Sequence, residues 1–275
     1  MTTEKITIDT GTDQLLCEIR DGVALITLNR PEARNAMSPQ LTPALSRMIQ
    51  ERGEDPRVGA LLITGAGTAF CAGGDVKGMG DNSSQKSLSA EERAAGMIER
   101  HRRLTGALVG VRKPTIAALP GAAAGAGLAI ALACDIRIAA KSAFVSAGYS
   151  RIGLSGDYGV AWLLTRAVGS PIAREMMFTS ERVDSERAER IGLFNRVVDD
   201  ARLQEEAFAL ARSIAQGPAV ALRLMKDNLD EARDIDHDTA VVREAQRLAQ
   251  AAQTEDHREA VRAFVEKRKP VFSGR

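Results

Sequence analysis

A chain of 275 residues with 37 basic and 36 acidic side chains has a formal net charge of +1, and the well-mixed charges leave no electrostatic stripe for nucleic acid. One Trp, two Tyr and seven Phe are too few for base-stacking platforms. The length suits one large α/β domain or a core domain with a helical appendage, with a core large enough to need no disulfide or metal staple.

The N-terminal MTTEKITIDT lacks a basic region followed by an apolar stretch, so no signal peptide is expected and the cytoplasm is the expected compartment. Cys17, Cys71 and Cys134 are odd in number and lack CxxC spacing, which suggests neither a disulfide framework nor a zinc knuckle and fits a reducing compartment. Leu15 to Arg20 and Val23 to Leu28 are β-rich runs either side of Asp21-Gly22, a dipeptide suited to a tight hairpin turn. The period then changes. Ser38 can cap a helix carrying Leu41, Leu45, Met48 and Ile49 on one face and ending near Gly53. Val58 to Thr64 is an apolar run without alternation, as expected of a strand covered on both faces, and a glycine-rich loop follows it. Residues 78 to 90, rich in Ser, Asn, Gln, Gly and Asp, read as a surface loop, and Glu91 to Val109 returns to helix.

Thr115 to Cys134 holds no charged residue over a length that could span a bilayer. Most of it is alanine and glycine, which contribute little transfer energy, and Pro120-Gly121 punctuates it as a turn; a buried strand, a turn and a buried helix explain it better. The strand Thr115 to Leu119 leads into a helix over Gly125 to Ala133, and Ile136 to Ala139 leads through Phe144 to a helix beginning near Asp157. Repeated β-α alternation implies parallel crossovers. Beyond Pro171 the strand signal survives only at Asn195 to Val198, while amphipathic helices fill Leu203 to Gln216, Ala219 to Ala232, Asp238 to Ala252 and Glu255 to Lys267.

Two segments could carry chemistry. GAGTAFCAGGDVKGM, from Gly65 to Met79, ends a strand in a loop where Gly73 and Gly74 would let a ligand approach the main chain and a following helix N-terminus would favour developing negative charge. LPGAAAGAGLAIALA, from Leu119 to Ala133, repeats the pattern with Gly125, Ala126 and Gly127 in the first helical turn. Each alone reads as a tightly packed βα connection. The second is not a dinucleotide fingerprint, because Ile130 stands where the last glycine belongs, and it has no GK[ST] for a P-loop. Two such turns, each aiming one backbone N–H at a common point, would make a two-donor oxyanion hole.

NRPEARNAMS (29–38), AFCAGGDVKGM (69–79), KPTIAALPGAAAGAGLAIALACDIRIA (113–139), IGLSGDYG (152–159) and AFVEKRKPVF (263–272) resemble, in order and spacing, the crotonase (enoyl-CoA hydratase/isomerase) superfamily. The match runs from about the hairpin to the C-terminus. The resemblance implies an α/β crotonase (ClpP/crotonase-like) fold of repeated ββα units with a core over residues 1–200. It also implies a helical C-terminal trimerisation region over 201–275 and assembly as a homotrimer or dimer of trimers. It implies an acyl-CoA thioester as substrate, with coenzyme A as part of that substrate and no other cofactor. By position, the N–H groups of Gly74 and Ala126 would grip the thioester oxygen. The coenzyme A contacts would come from Arg30 and Arg34, the backbone around Ala72 and Asp75, and, from a neighbouring subunit, Phe264 with Lys267. Arginine and lysine suit phosphates, although the bare EKRK reads as a solvated helix end.

The chain departs from the hydratases of that superfamily, which use two glutamates. Ala129 stands at the first position and Tyr149 at the second; an alanine transfers no proton, and a tyrosine of ordinary pKa near 10 is a poor base at neutral pH. Asp157 stands where several isomerases and a dehalogenase of the superfamily carry a catalytic aspartate, and it could equally cap the next helix. As a base it would move a proton between Cα and Cγ of the acyl chain, giving isomerisation. A hydratase with Tyr149 or Tyr158 recruited, and a non-catalytic acyl-CoA binding protein, are the alternatives. GYSRIG misses the GxSxG elbow, and no His/Cys/Asp cluster has metal spacing. His101, His237 and His257 fall in charged helical stretches and read as surface residues without partners.

Overall fold

Asp21 and Gly22 both take positive φ, 52° and 78°, as a two-residue hairpin turn demands, so strands β2 (Leu15–Arg20) and β3 (Val23–Leu28) pair antiparallel as expected. The computed structural model describes residues 5–75 and 89–275. β1 (Ile6–Ile8) adds an antiparallel edge, and β4 (Ala60–Gly65), β6 (Thr115–Leu119), β8 (Ile136–Ala140) and β11 (Arg196–Val198) continue the sheet in parallel. The resulting seven-stranded order is β1-β2-β3-β4-β6-β8-β11. Every residue of β4 and β6 is buried, which is why neither run alternates.

A second, four-stranded sheet runs β10-β9-β7-β5, built from β5 (Ala69–Cys71), β7 (Ala122–Ala124), β9 (Phe144–Ser146) and β10 (Val183–Asp184). Reading the residues alone treats these pieces as loop. They are too short to show a period, and only their cross-chain pairing makes them strands. β4, β6 and β8 are each followed within a few residues by a short strand of this second sheet, so the βα alternation resolves into the ββα units that the resemblance implies.

Helix α1 (Leu41–Glu54) buries Leu41, Leu45, Met48 and Ile49, and the Ser38 hydroxyl accepts from Leu41 N at 3.0 Å. Helix α2 (Ala90–His101) starts at a capping box between Ser89 and Glu92 and runs through a π-helical segment, Arg102–Gly106, into a last turn, Ala107–Gly110. Of the expected surface loop, residues 78–88 lie outside the described residues. α3 (Ala126–Ala133) is buried along its whole length. Thr115 to Cys134 is thus a strand, a turn with β7, and a helix; among the described residues no helix is long and apolar enough to cross a membrane.

α4 (Val160–Val168) begins three residues later than expected, and α5 (Ser170–Thr179) and α6 (Ser185–Arg190) follow. α7 (Leu203–Ala215) lies beyond the last strand, yet it buries Leu203, Ala207 and Ala211 against β3, β4, β6 and β8. By packing it belongs to the core. The helical C-terminal region continues as α8 (Ala219–Glu231), α9 (His237–Ala251) and α10 (Glu255–Val265). It is anchored by Lys226, whose buried ammonium reaches Asp135 Oδ2 at 2.8 Å and the Lys113 carbonyl at 3.3 Å.

Candidate active site

The segment from Arg30 to Met37 is fastened to the first glycine turn by its own backbone. Asn35 takes φ 56°, which asparagine tolerates better than most residues. Its fully buried amide accepts from Arg30 N at 2.8 Å and donates to the Ala66 and Ala69 carbonyls at 2.9 and 2.8 Å. Ala72 N then donates to the Arg34 carbonyl at 2.9 Å, and Met37 N to the Gly73 carbonyl at 2.8 Å. Met37 and Gly74 form a parallel bridge of which that last bond is part, so the N–H of Gly74 itself points away from Met37.

On the far side stands the second glycine turn. Gly73 takes φ 96°, and a Cβ built there would lie 2.7 Å from the Ala124 carbonyl oxygen and 3.6 Å from Ala126 N. A Cβ at Gly127 would lie 2.1 Å from the Cys71 carbonyl oxygen. The two turns therefore meet backbone against backbone, which only glycine permits. Gly125, at φ 52°, swings the chain from β7 into α3, leaving Ala126 N at the first helical position, where no acceptor exists within the helix. Gly74 and Ala126, from distant stretches of sequence, stand in one neighbourhood.

A third segment closes on the same turn. The Cζ and Oη of Tyr149 each lie 3.8 Å from the Cβ position of Gly125, and the Tyr149 hydroxyl donates to Asp157 Oδ1 at 2.5 Å. Burial, reinforced by the Asp157 charge, pushes the Tyr149 phenol far above its ordinary range, so it remains a donor. Asp157 caps no helix. The N-cap of α4 is Gly159, no side chain bonds there, and it is the Asp157 carbonyl that accepts from Val160 N. Ala129, at the first glutamate position, is fully buried and brings no proton-transferring group.

His101 corrects the sequence reading. It is half-buried, its ring centroid lies 4.1 Å from that of Tyr158, and its Nδ1 accepts from Tyr158 N at 3.4 Å. Nothing local in the charged stretch around it signals a partner 57 positions later. Among the described residues no group of His, Cys, Asp and Glu side chains could hold a metal ion.

The model of the family described as enoyl-CoA hydratase/isomerase matches residues 18–275. The chain belongs to the enoyl-CoA hydratase/isomerase family. A Mycobacterium tuberculosis relative named "Probable enoyl-CoA hydratase echA8" is 36% identical over 263 residues, covering 96% of this chain and 99% of the relative. The Escherichia coli K12 protein named 1,2-epoxyphenylacetyl-CoA isomerase is 35% identical over 263 residues, covering 95% and 98%. Among solved structures, an enoyl-CoA hydratase from Polaromonas sp. JS666 superposes with a TM-score of 0.87 at 29% identity, covering 94% of this chain and 99% of that one.

In this enoyl-CoA hydratase/isomerase family member, the residues expected to contact coenzyme A fall into two groups. Arg30, Arg34, Ala72 and Asp75 cluster: Arg30 Nη1 donates to the Ala36 carbonyl at 2.6 Å and Nη2 stands 3.4 Å from Asp75 Oδ2, while the Arg34 side chain is exposed. Phe264, 85% exposed on α10, and Lys267 just beyond it lie on the C-terminal arm. Among the described residues no hydrogen bond or ion pair joins them to the first group. Asn35 is the positioning residue that sequence reasoning missed; a polar residue in NRPEARNAMS with a taste for left-handed backbone was the available signal.

Proposed function

We propose that the protein binds an acyl-CoA thioester, stabilises its enolate, and isomerises a double bond or opens a strained ring in the acyl group. The observation that carries this is the 2.5 Å hydrogen bond between Tyr149 and Asp157, set against the turn that begins α3. The N–H groups of Gly74 and Ala126 hold the thioester oxygen as it gains charge, which acidifies the α-carbon; losing one such donor costs about 2.7 to 4 kcal/mol in comparable sites. For a double bond, Asp157 takes a proton from Cα or Cγ and returns it to the other position; for a strained ring attached at Cβ, it takes the Cα proton, the enolate electrons break the ring bond at Cβ, and the proton goes to the ring atom released, so no atom is gained or lost in either case. Tyr149 holds the carboxylate in place and stays protonated. Arg30 and Arg34, with the backbone at Ala72 and Asp75, take the coenzyme A moiety, and a neighbouring copy in a trimer supplies Phe264 and Lys267.

The named hydratases among the relatives favour a second reading, water addition to a 2-enoyl-CoA. Against it stand the two positions at which hydratases carry glutamates: Ala129 has no titratable group, and burial holds the Tyr149 phenol above its ordinary range, which makes it a poor base. The deciding measurement is exchange of α-protons for deuterium in a panel of acyl-CoA esters, followed by mass spectrometry, beside a direct assay of crotonyl-CoA hydration. Exchange that drops at least about a hundredfold in Asp157→Asn supports isomerisation. Hydration that survives Asp157→Asn supports the hydratase. Tight binding with neither activity makes the protein a non-catalytic acyl-CoA binder.

A further inference from the structure

A serine ends α5 in a backbone conformation that suits glycine. Ser180 takes φ 48° and ψ 31°, in the left-handed region, and is fully buried. Among the described residues, Asn35 and Ser180 are the two non-glycine residues that combine positive φ with no exposure. Asn35 uses that place to fasten the first glycine turn. A strained, buried residue persists where its surroundings over-determine it, so the bonds of Ser180 indicate what it holds.

Those bonds run to both ends of one segment, Ser146 to Ser150. The Ser180 carbonyl accepts from Ser146 Oγ at 2.9 Å. The Ser180 hydroxyl accepts from Ser150 N at 3.2 Å, and the Ser150 and Ser180 hydroxyls share a bond at 2.7 Å. Ser146 in turn offers its carbonyl to Gly125 N at 3.2 Å, in the residue before Ala126. Between the two anchors stands Tyr149, whose phenol holds Asp157. The contact continues on either side, where Val183 of β10 pairs with Val145 of β9 and α5 packs against the short 3-10 helix Ser150–Ile152. Glycine would meet the backbone demand at this helix end with less strain. What serine adds is a hydroxyl, and that hydroxyl goes to the residue beside Tyr149.

We propose that Ser180 is a positioning residue for the proton transfer, its carbonyl and hydroxyl clamping the Ser146–Ser150 segment so that the Tyr149 phenol reaches Asp157. This rests on the reading of Asp157 as the base. Ser180 acts through Tyr149, so its hydroxyl governs the rate of proton transfer and not the affinity for the ester. The clamp also joins two parts of the site, because the Ser146 carbonyl that it steadies is the acceptor for the turn that begins α3.

The test uses the full chain and follows α-proton exchange by mass spectrometry with butyryl-CoA, octanoyl-CoA and phenylacetyl-CoA, beside their affinities by calorimetry. Ser180→Gly keeps the left-handed backbone and deletes the hydroxyl. It is expected to slow exchange about tenfold at saturating ester and to leave affinity within about twofold. In a double-mutant cycle, Ser180→Gly added to Tyr149→Phe costs no more than about twofold further, because the phenol it positions is gone. A residue that only supports the fold would lower the thermal midpoint without this coupling. Circular dichroism and thermal unfolding establish that the variant folds. Should it not, Ser150→Ala, at an exposed residue, removes the hydroxyl pair and is read through the same cycle. Unchanged exchange in the folded variant, or losses from Ser180→Gly and Tyr149→Phe that multiply, overturns the inference alone. No exchange by the wild-type chain with any ester, or Asp157→Asn exchanging at the parent rate, overturns the base assignment and this inference with it.

Discussion

The Tyr149 hydroxyl and Asp157 Oδ1 are joined at 2.5 Å, with the phenol as donor and the carboxylate as acceptor. A hydrogen bond to a charged group is worth roughly 1.5 to 3 kcal/mol, about ten- to a hundredfold in rate where the carboxylate must be held in place. Tyr149→Phe therefore lowers α-proton exchange by about tenfold or more without abolishing it. Complete loss in Tyr149→Phe, with Asp157→Asn unimpaired, would assign the proton transfer to the phenol instead.

Both tyrosines of the chain, Tyr149 and Tyr158, are held above the ordinary phenol range, chiefly by burial. An ultraviolet difference titration of the native protein shows little tyrosinate near pH 10, where an exposed tyrosine is half ionised. The unfolded chain, with ordinary pKa values, binds fewer protons there than the native one. Their contribution to stability is thus complete below about pH 10 and is lost as pH rises further. Urea midpoints measured on either side of pH 10 check the sign.

Asn35→Ala removes three hydrogen bonds at once, one buried and two part-buried, and takes their partner from the Arg30 N–H and the Ala66 and Ala69 carbonyls. The expected loss is about 3 kcal/mol, read as a lower urea midpoint with an unchanged slope. Activity should fall further than stability explains, because Arg34 and Met37 carry the backbone bonds that set the Gly73-Gly74 turn.

Two glycines give opposite outcomes. Gly127→Ala drives a methyl to 2.1 Å from the Cys71 carbonyl oxygen and is expected to cost about 3 kcal/mol. Gly96 lies in the exposed middle of α2 with nothing within 4 Å of its Cβ position, and Gly96→Ala should add about 0.5 to 1 kcal/mol of stability. Thermal unfolding of the pair separates crowding from chain entropy.

What could be read from the sequence was what depends on near neighbours. The Asp21-Gly22 hairpin, the unalternating β4 and β6 runs and the face of α1 are all set by periods within a few residues. The short strands β5, β7, β9 and β10 depend on pairing with remote segments, and no local period marks them. His101 and Tyr158 meet only because the helix ending at one packs beside the loop holding the other. The α4 boundary moved because Gly159, without a side chain to cap, starts the helix where Asp157 looked the better signal. α7 looked like the beginning of the C-terminal region because it follows the last strand, but its small residues Ala207 and Ala211 fit it against the sheet.

Where the two glycine turns touch, the lining is peptide bond rather than side chain: added methyls at Gly65, Gly121 and Gly127 would each strike a carbonyl oxygen at 2.0 to 2.2 Å. A surface of that kind cannot be retuned by exchanging one residue for another. Change beside these turns must then enter through replaceable side chains such as Ala129 and Tyr149, which leaves the path of the backbone itself fixed.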